Sequence, residues 1–275
     1  MKEITITPEL VSDWLKDRKP ESHKGDYGRA LLVAGSKGMM GAALLATRAC
    51  MRSGVGLLTT RVPSCGYEIM QLGIPEAKCD CDQNESFHTE IIVPKDTEVI
   101  GIGPGLGQHT QTQDAFHHFL LHNNQLPLVL DADALNILSL HPDWLELLPA
   151  GTILTPHLGE MKRLAADPYE LAEKHNLVIV LKGHHTRIID AENCFVNTLH
   201  GNAGMAVGGS GDVLTGIILG LLAQHYTPLQ AATLGVWLHA LAADIALQDH
   251  NSMESLLPSD IISHLGDAFN LSQPK

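Results

Sequence analysis

Residues 98–107 read Glu-Val-Ile-Gly-Ile-Gly-Pro-Gly-Leu-Gly, and this stretch determines the expected fold. Its apolar, β-branched first half predicts a buried strand, which ends where Gly103 begins a glycine-rich turn. A helical pattern over residues 111–121 follows. A buried strand, a glycine turn and a helix in that order form the building unit of a parallel sheet covered by helices.

The same unit recurs along the chain. Further strands are predicted at 30–34, 56–62, 127–130, 152–154 and 177–181. Helices are predicted at about 40–53, shortly after 133, at 159–166, and from 212 to about 248 with a break at 226–228, while 187–190 and 194–198 form a hairpin. The alternation predicts an α/β fold with a mainly parallel sheet and helices on both faces. No linker or repeat divides the sequence, so we expect a single domain over residues 1–275.

The charge balance argues against a nucleic-acid partner. Lys and Arg total 18 against 31 Asp and Glu, which gives a formal net charge of −13. A protein that binds nucleic acid without sequence preference needs clustered cations, and the sequence has no run rich in Lys or Arg. A phosphate site in this chain must therefore depend on local backbone N–H groups rather than on net charge.

Cysteine usage and hydropathy indicate a cytoplasmic protein with no membrane partner. The five cysteines lack paired C-x-x-C spacing, so we expect no disulfide framework. Residues 1–20 are mixed polar and lack an apolar core of signal-peptide length. The stretch Val213–Ala223 is strongly apolar, but it is too short to span a bilayer.

The segment Gly201-Asn-Ala-Gly-Met-Ala-Val-Gly-Gly-Ser-Gly-Asp212, followed by an apolar helix, is the strongest chemical motif. Its glycines allow backbone N–H groups to approach a ligand, and the N-terminus of the helix favours a phosphate. Asp212 could accept a proton while the N–H groups hold a phosphoryl group. From spacing alone, a plain helix N-cap is an equally good interpretation of Asp212.

Six further motifs occur in a characteristic order. They are Lys24-Gly-Asp-Tyr-Gly28, Ala34-Gly-Ser36 with Gly41-Ala42, Gly103-Pro-Gly-Leu-Gly107, Asp131-Ala-Asp-Ala-Leu-Asn136, Thr155-Pro-His-x-Gly-Glu160 and Lys182-Gly-His-His-Thr186. Together with the glycine turn, they resemble the ADP/ATP-dependent NAD(P)H-hydrate dehydratases of the ribokinase-like superfamily, over about residues 22–248. The resemblance implies a three-layer ribokinase-like fold.

The resemblance also implies a role for individual residues. Asp212 is expected to be the catalytic base, within an anion hole formed by Gly209, Ser210 and Gly211. The other contacts implied are Lys182, Gly183, His184, His185, Thr186, Asn202 and Gly211 for the nucleotide, and Ala42, Gly107, His157 and Asp212 for the NAD(P)H hydrate. Glu160 is expected to act on Mg²⁺ indirectly, through phosphate.

The implied reaction is the dehydration of the S-form of NADH hydrate or NADPH hydrate, with ADP or ATP as phosphoryl donor and Mg²⁺ as cofactor. Threonine at position 186 matches the bacterial branch of the family. This match implies that ADP is the preferred phosphoryl donor and that AMP is released. The resemblance further implies a homo-oligomer, a tetramer. It leaves open whether the chain is part of a longer protein with an epimerase domain.

Alternative interpretations remain at this point. A ribokinase-like kinase for a vitamin-precursor alcohol would share the glycine turn and Asp212 but release a phosphorylated product. A non-catalytic nucleotide-binding regulator would keep the fold without needing a base. Among single residues, Asp133 could cap its helix, Lys182 could face solvent, and His184 with His185 could form a surface turn.

Overall fold

The central element of the computed structural model is one twisted sheet, and the model describes residues 3–123, 126–250 and 252–273. Within these residues ten strands pair in the order β1-β10-β9-β8-β7-β6-β5-β2-β3-β4. Only β9 runs antiparallel to its two neighbours. The strands are β1 Glu3–Thr5, β2 Arg29–Val33, β3 Leu57–Val62, β4 Lys78–Cys81, β5 Val99–Ile102, β6 Leu128–Leu130, β7 Ile153–Leu154, β8 Val178–Leu181, β9 Arg187–Ile189 and β10 Cys194–Val196.

The order of the strands creates a crevice between β2 and β5. From β2 the chain adds strands outward through β3 to β4, and from β5 it adds them in the opposite direction through β6 to β8. The loops that leave β2 and β5 therefore diverge at the carboxyl edge of the sheet. This topological switch point is where ligands bind in open parallel sheets.

Helices cover both faces of the sheet and enclose two apolar cores. Alternate residues of β2 enter different cores: Ala30 and Leu32 face one, and Leu31 and Val33 face the other. The helices are α1 Pro8–Trp14, α2 Met40–Arg52, α3 Tyr67–Gly73, α4 Thr110–His122, α5 Asp133–Leu140, α6 Leu158–Leu164, α7 Pro168–His175, α8 Ser210–Ala223, α9 Pro228–His250, α10 Pro258–Ser263 and α11 Leu265–Ser272. The first core contains residues of α2, α8 and α9, and the second contains residues of α4 to α7.

Helix α8 is the innermost helix of the first core. Close contact with α2 requires glycine, since a Cβ at Gly216 would overlap the carbonyl oxygen of Ala46. A Cβ at Gly220 would lie 2.8 Å from the carbonyl oxygen of Cys50. Helix α8 is thereby fixed against α2, and its N-terminal turn is held at the carboxyl edge of the sheet.

Helix α9 is long and apolar enough to cross a membrane by length and composition alone, over 22 residues. However, 78% of its apolar window is buried inside the protein. Burial of this kind is what a core helix of a large α/β domain shows. The apolar stretch Val213–Ala223 lies within α8, where every residue of the stretch is buried.

The predicted elements are confirmed, including the hairpin of β9 and β10. Their ends differ from the predictions by a few residues. The five cysteines are free, as expected. Five helices and two strands had no counterpart in the sequence analysis: α1, α3, α7, α10, α11, β1 and β4. Most of them are short and lie at the periphery, where the hydrophobic periodicity extends over too few residues to be recognised.

We expect Gly216→Ala to lower the melting temperature clearly, although alanine favours an isolated helix by about 1 kcal/mol over glycine. The added methyl group would overlap the α2 backbone, so α8 must move. The matched control is Gly266→Ala in α11, where an added Cβ meets nothing within 4 Å. Thermal unfolding of both variants beside the parent tests the contact, and a G216A protein as stable as G266A would contradict it.

Candidate active site

The loops that follow β2 and β5 are joined at the switch point. Gly35 N–H donates to the carbonyl oxygen of Pro104 at 2.8 Å, and Ser36 Oγ donates to that of Gly105 at 2.8 Å. Gly105 has φ +60°, and a Cβ there would lie 3.0 Å from the Ala42 Cβ. The structure thus brings together Ala42 and the turn ending at Gly107, two of the predicted hydrate contacts.

Asp133 fastens the same turn to the neighbouring loop. Its Oδ2 accepts from Gly107 N–H at 2.9 Å, and its Oδ1 accepts from Gln108 Nε2 at 3.0 Å. It is not the cap of α5, because Ala132 holds the N-cap position with φ +48°. A positive φ is uncommon for alanine and implies local strain. Ala132 separates Asp131, which binds Lys182, from Asp133, which binds Gly107. The strained turn at Ala132 thus lies between two carboxylates that face different partners.

Asp131, at the end of β6, is the buried centre of this edge. It is 1% exposed, and its Oδ1 accepts from Lys182 Nζ at 2.8 Å while its Oδ2 accepts from Thr215 Oγ1 at 2.7 Å. One carboxylate therefore connects β6, β8 and α8. The interpretation of Lys182 as a plain solvent-facing residue is wrong, since its ammonium is paired with a buried carboxylate.

The glycine turn before α8 lies directly over this ion pair. A Cβ at Gly211 would lie 3.2 Å from Lys182 Nζ, so the Gly211 backbone is in close contact with the ammonium. Gly209 has φ +98° and is the N-cap of α8. Ser210 N–H donates within the turn to the carbonyl oxygen of Val207 at 3.3 Å. Gly209 and Gly211 hold the backbone of the predicted anion hole, while the Ser210 amide is already engaged in this conformation.

Asp212 lies in the first turn of α8 rather than at its cap. The N-cap interpretation is therefore wrong, because Gly209 occupies that position. Burial, together with the negative charges of Asp131 and Asp133 and against the opposing charge of Lys182, raises the pKa of the Asp212 carboxyl to about 7. A carboxyl group that titrates near neutral pH is suited to accepting a proton.

His157 and Glu160 begin helix α6 at the end of β7. His157 Nδ1 accepts from Gly159 N–H at 2.9 Å, and Glu160 Oε2 accepts from His157 N–H at 2.8 Å. The two side chains thus form a reciprocal cap. His157 also lies beside Lys182 at the sheet edge, where the two residues form a parallel bridge. The roles predicted for His157 with the hydrate and for Glu160 with Mg²⁺ remain predictions.

The carboxylates of this edge do not form a metal cage. Among the described residues, no group of three or more His, Cys, Asp or Glu side chains could hold a metal ion. Both oxygens of Asp131 and of Asp133 already accept hydrogen bonds.

The predicted nucleotide segment after β8 is a tight turn. Thr186 Oγ1 donates to the carbonyl oxygen of Gly183 at 3.2 Å, which closes the turn. His184 and His185 are exposed with their rings stacked at 4.3 Å, so the surface-turn interpretation of the pair is confirmed. Their contact with a nucleotide stays a prediction.

Two functional candidates were missed by sequence reasoning. Asp131 was quoted as part of a motif but given no role, although its place at a strand end pointed to the site. His239 belongs to none of the sequence motifs. It is buried on α9, its Nε2 lies 3.4 Å from Ser210 Oγ, and burial lowers its pKa to about 4. His239 therefore contacts the glycine turn as a neutral imidazole. No sequence pattern indicated this contact.

A family model described as NAD(P)H-hydrate dehydratase matches residues 30–266, which include the whole of this edge. The chain belongs to this family. The ADP-dependent (S)-NAD(P)H-hydrate dehydratase of Listeria monocytogenes is 35% identical over 94% of this chain and 94% of its own length. The bifunctional NAD(P)H-hydrate repair enzyme of Vibrio cholerae is 38% identical, covering 97% of this chain and 54% of its own length. The chain thus spans about half the length of such bifunctional relatives.

Solved structures confirm the fold of this dehydratase family member. The Bacillus subtilis ADP/ATP-dependent NAD(P)H-hydrate dehydratase, co-crystallised with ATP and Mg²⁺, is 34% identical with a TM-score of 0.81, over 97% of this chain and 98% of its own. A ribokinase-like superfamily protein from Enterococcus faecalis is 28% identical with a TM-score of 0.84, over 99% and 97%. The predicted ribokinase-like fold is therefore confirmed.

The raised pKa of Asp212 predicts how stability depends on pH. A carboxyl whose folded pKa lies above its unfolded value stabilises the fold while protonated, and this contribution is lost as the pH rises from about 4 to about 7. Asp212→Asn removes that dependence. Between pH 5 and pH 7 the parent should therefore lose stability that the D212N variant keeps. We expect the unfolding free energy of D212N, relative to that of the parent, to rise by about 1–2 kcal/mol over this range.

Thermal or denaturant unfolding across this pH range measures the difference. Asp114→Asn, at an exposed position on α4, is the matched control and should follow the parent at every pH. If the stability of the D212N protein follows that of the parent as closely as D114N does, the pKa of Asp212 is not raised in the folded protein.

Proposed function

We propose that this chain catalyses the ADP-dependent dehydration of the S-form of NADH hydrate and NADPH hydrate, yielding NAD(P)H, AMP and phosphate. The observation that carries the proposal is the position of Asp212. A half-buried carboxyl with a pKa of about 7 lies in the first turn of α8, beside the Lys182 ammonium and next to the glycines of an anion-binding turn. Family membership supports the same reaction.

In the first step, Asp212 accepts the proton of the ring hydroxyl while that oxygen attacks the terminal phosphorus of the nucleotide. The bond between this phosphorus and the bridging oxygen breaks, and AMP leaves when ADP is the donor. The glycine turn and the N-terminus of α8 stabilise the charge on the transferred group. Hydroxide is a poor leaving group, and the phosphorylation converts it into phosphate.

In the second step, the lone pair of the ring nitrogen expels the phosphate. The carbon–oxygen bond breaks, a proton leaves the adjacent ring carbon, and the dihydronicotinamide double bond is restored. The net reaction consumes one phosphoanhydride bond and removes one water from the hydrate. Since the cofactor itself supplies the electrons, the protein contributes positioning and charge stabilisation.

Lys182 is placed to serve the transferred phosphoryl group. Its ammonium is held from below by Asp131 and lies next to the Gly211 backbone. The hydrogen bond from Thr215 holds the Asp131 carboxylate in place, and the carboxylate in turn holds the Lys182 ammonium. The ammonium gives the turn a local donor for phosphate in a chain whose negative net charge opposes an anionic substrate.

The hydrated cofactor is assigned to the switch point, with contacts from Ala42 and Gly107 there and from His157 at the end of β7. The nucleotide is assigned to the turn of residues 183–186 together with Asn202 and Gly211. Mg²⁺ would reach the site with the nucleotide and neutralise phosphate charge, with Glu160 acting through phosphate.

We further propose that the protein is cytoplasmic and forms a homotetramer. The exposed apolar side chains of Tyr67 and Leu72 on α3 fit a subunit contact.

A ribokinase-like kinase could use the same base and turn. The two activities differ in product: the kinase would accumulate a phosphorylated alcohol, whereas the dehydratase restores NADH absorbance at 340 nm. Incubating the chain with NADH hydrate, ADP and Mg²⁺ therefore tests the proposed function directly. A stable phosphorylated product without recovered absorbance would favour the kinase.

In that assay, we expect Asp212→Asn to lower kcat at least about a hundredfold, because an amide cannot accept the hydroxyl proton. The parent should also lose activity as the pH falls below about 7, since the base becomes protonated. Asp114→Asn should keep the activity of the parent. A folded D212N protein that retains more than about a tenth of kcat would rule out Asp212 as the base.

The choice of nucleotide is a separate prediction. Thr186 closes the turn after β8, and the resemblance associates threonine at this position with ADP use. We expect NADH to be recovered faster with ADP than with ATP at equal concentration. Faster recovery with ATP, in the same assay and with the same Mg²⁺ excess, would overturn the assignment of this chain to the ADP-dependent branch.

A further inference from the structure

The loop of residues 200–202, which leads toward the glycine turn, lies along one stripe of α9. The stripe consists of Trp237, Ala240 and Asp244, whose spacing of three and then four residues places them on one helix face. The His200 ring meets the Trp237 ring edge-on, with 4.5 Å between centroids. A Cβ at Gly201 would lie 3.6 Å from the Ala240 Cβ. Two of the three loop residues are therefore in packing contact with the stripe.

Asp244 makes the polar contacts of this interface. Its Oδ2 accepts from His200 Nδ1 at 3.2 Å and from Gly201 N–H at 3.0 Å, and its Oδ1 accepts from Asn202 Nδ2 at 2.9 Å. Three consecutive residues thus donate to a single carboxylate. Burial alone would raise the pKa of Asp244, but these donors hold it below its usual value. The carboxylate is therefore ionised at neutral pH.

The contact with Asp244 also fixes the orientation of the Asn202 amide. Its Nδ2 donates to Asp244, and its Oδ1 accepts from Gly204 N–H at 3.0 Å. With the nitrogen facing α9 and the oxygen facing the next turn, the amide cannot flip without losing both bonds. One N–H and one lone pair of the amide are left for a ligand.

The same loop is tied to the turn of residues 183–186. Asn197 N–H donates to the carbonyl oxygen of Thr186 at 3.0 Å, and Asn197 Nδ2 donates to that of His200 at 3.0 Å. The two segments assigned to the nucleotide are thus linked to each other, and Asp244 anchors both to the core helix.

We infer that Asp244 is a positioning residue that holds Asn202 and its loop in the conformation that binds the nucleotide, an inference that rests on the proposed function. Asp244 itself does not touch the nucleotide. It acts through Asn202, so its loss and the loss of Asn202 should weaken nucleotide binding by the same route. Effects on one route do not multiply when both residues are changed.

The experiment is calorimetric titration of the full chain with ADP and Mg²⁺. In Asp244→Asn only one oxygen can accept, and the new NH₂ faces a donor, so we expect the Kd for ADP to rise about tenfold. Asn202→Ala should raise it by a similar factor, and the double variant should bind no more than about twofold more weakly than Asn202→Ala. Asp244→Ser, which removes the carboxylate without adding an amide, is a second variant with the same expectation as D244N.

Asp249→Asn is the matched control on the same helix. It weakens a 2.8 Å bond between Asp249 and His264, away from the loop, and should leave the Kd for ADP unchanged. Parent-like ADP binding in a folded D244N or D244S protein would overturn the inference, even if the melting temperature falls, because a merely structural role moves stability alone. Multiplying effects in the double variant would overturn it as well.

The two proposals fail in different ways. A parent protein that binds ADP but restores no NADH from its hydrate contradicts the proposed function, while the binding data still decide the role of Asp244. A parent protein that binds no ADP contradicts both.

Discussion

The carboxylate of Asp131 joins three elements at the carboxyl edge of the sheet. It follows β6, pairs with Lys182 at the end of β8, and accepts from Thr215 on α8. A buried charge without a partner is strongly unfavourable, so the Asp131 carboxylate requires both of these partners. The site is assembled around this interaction, because it fixes the lysine under the glycine turn and fixes the turn relative to the sheet.

The same interaction sets the chemistry of Asp212. Burial raises its pKa most, and the neighbouring negative charge of Asp131 adds to the effect while Lys182 reduces it. The pKa of the Asp212 base therefore lies near neutral pH because of groups that are themselves held in place.

Close contacts of the backbone at glycine positions shape the loops around this site. A Cβ at Gly103 would overlap the carbonyl oxygen of Asp131, and one at Gly211 would crowd Lys182. The loops can meet so closely only because these positions lack side chains. From the opposite side, His239 and Asp244 on α9 support the glycine turn and the loop before it. The core helix thus contributes to the site without supplying a group that touches the substrate.

The sequence by itself determined the parallel α/β architecture, the family resemblance and the importance of the glycine turn with Asp212. These features are local: a buried strand, its terminal glycine and the following helix lie within about 20 contiguous residues, so periodicity and turn chemistry reveal them. Tertiary structure alone decided that Asp212 is not a cap, that Asp133 holds Gly107, and that Lys182 is paired with Asp131. It also decided the roles of His239 and Asp244. These contacts join residues that are 26 to 51 positions apart, or 29 and 42 for the two α9 residues, and such distances in sequence leave no periodic trace. The pairing of β5 to β8 in one sheet brings the first set together, and the packing of α8 and α9 against the sheet adds the rest.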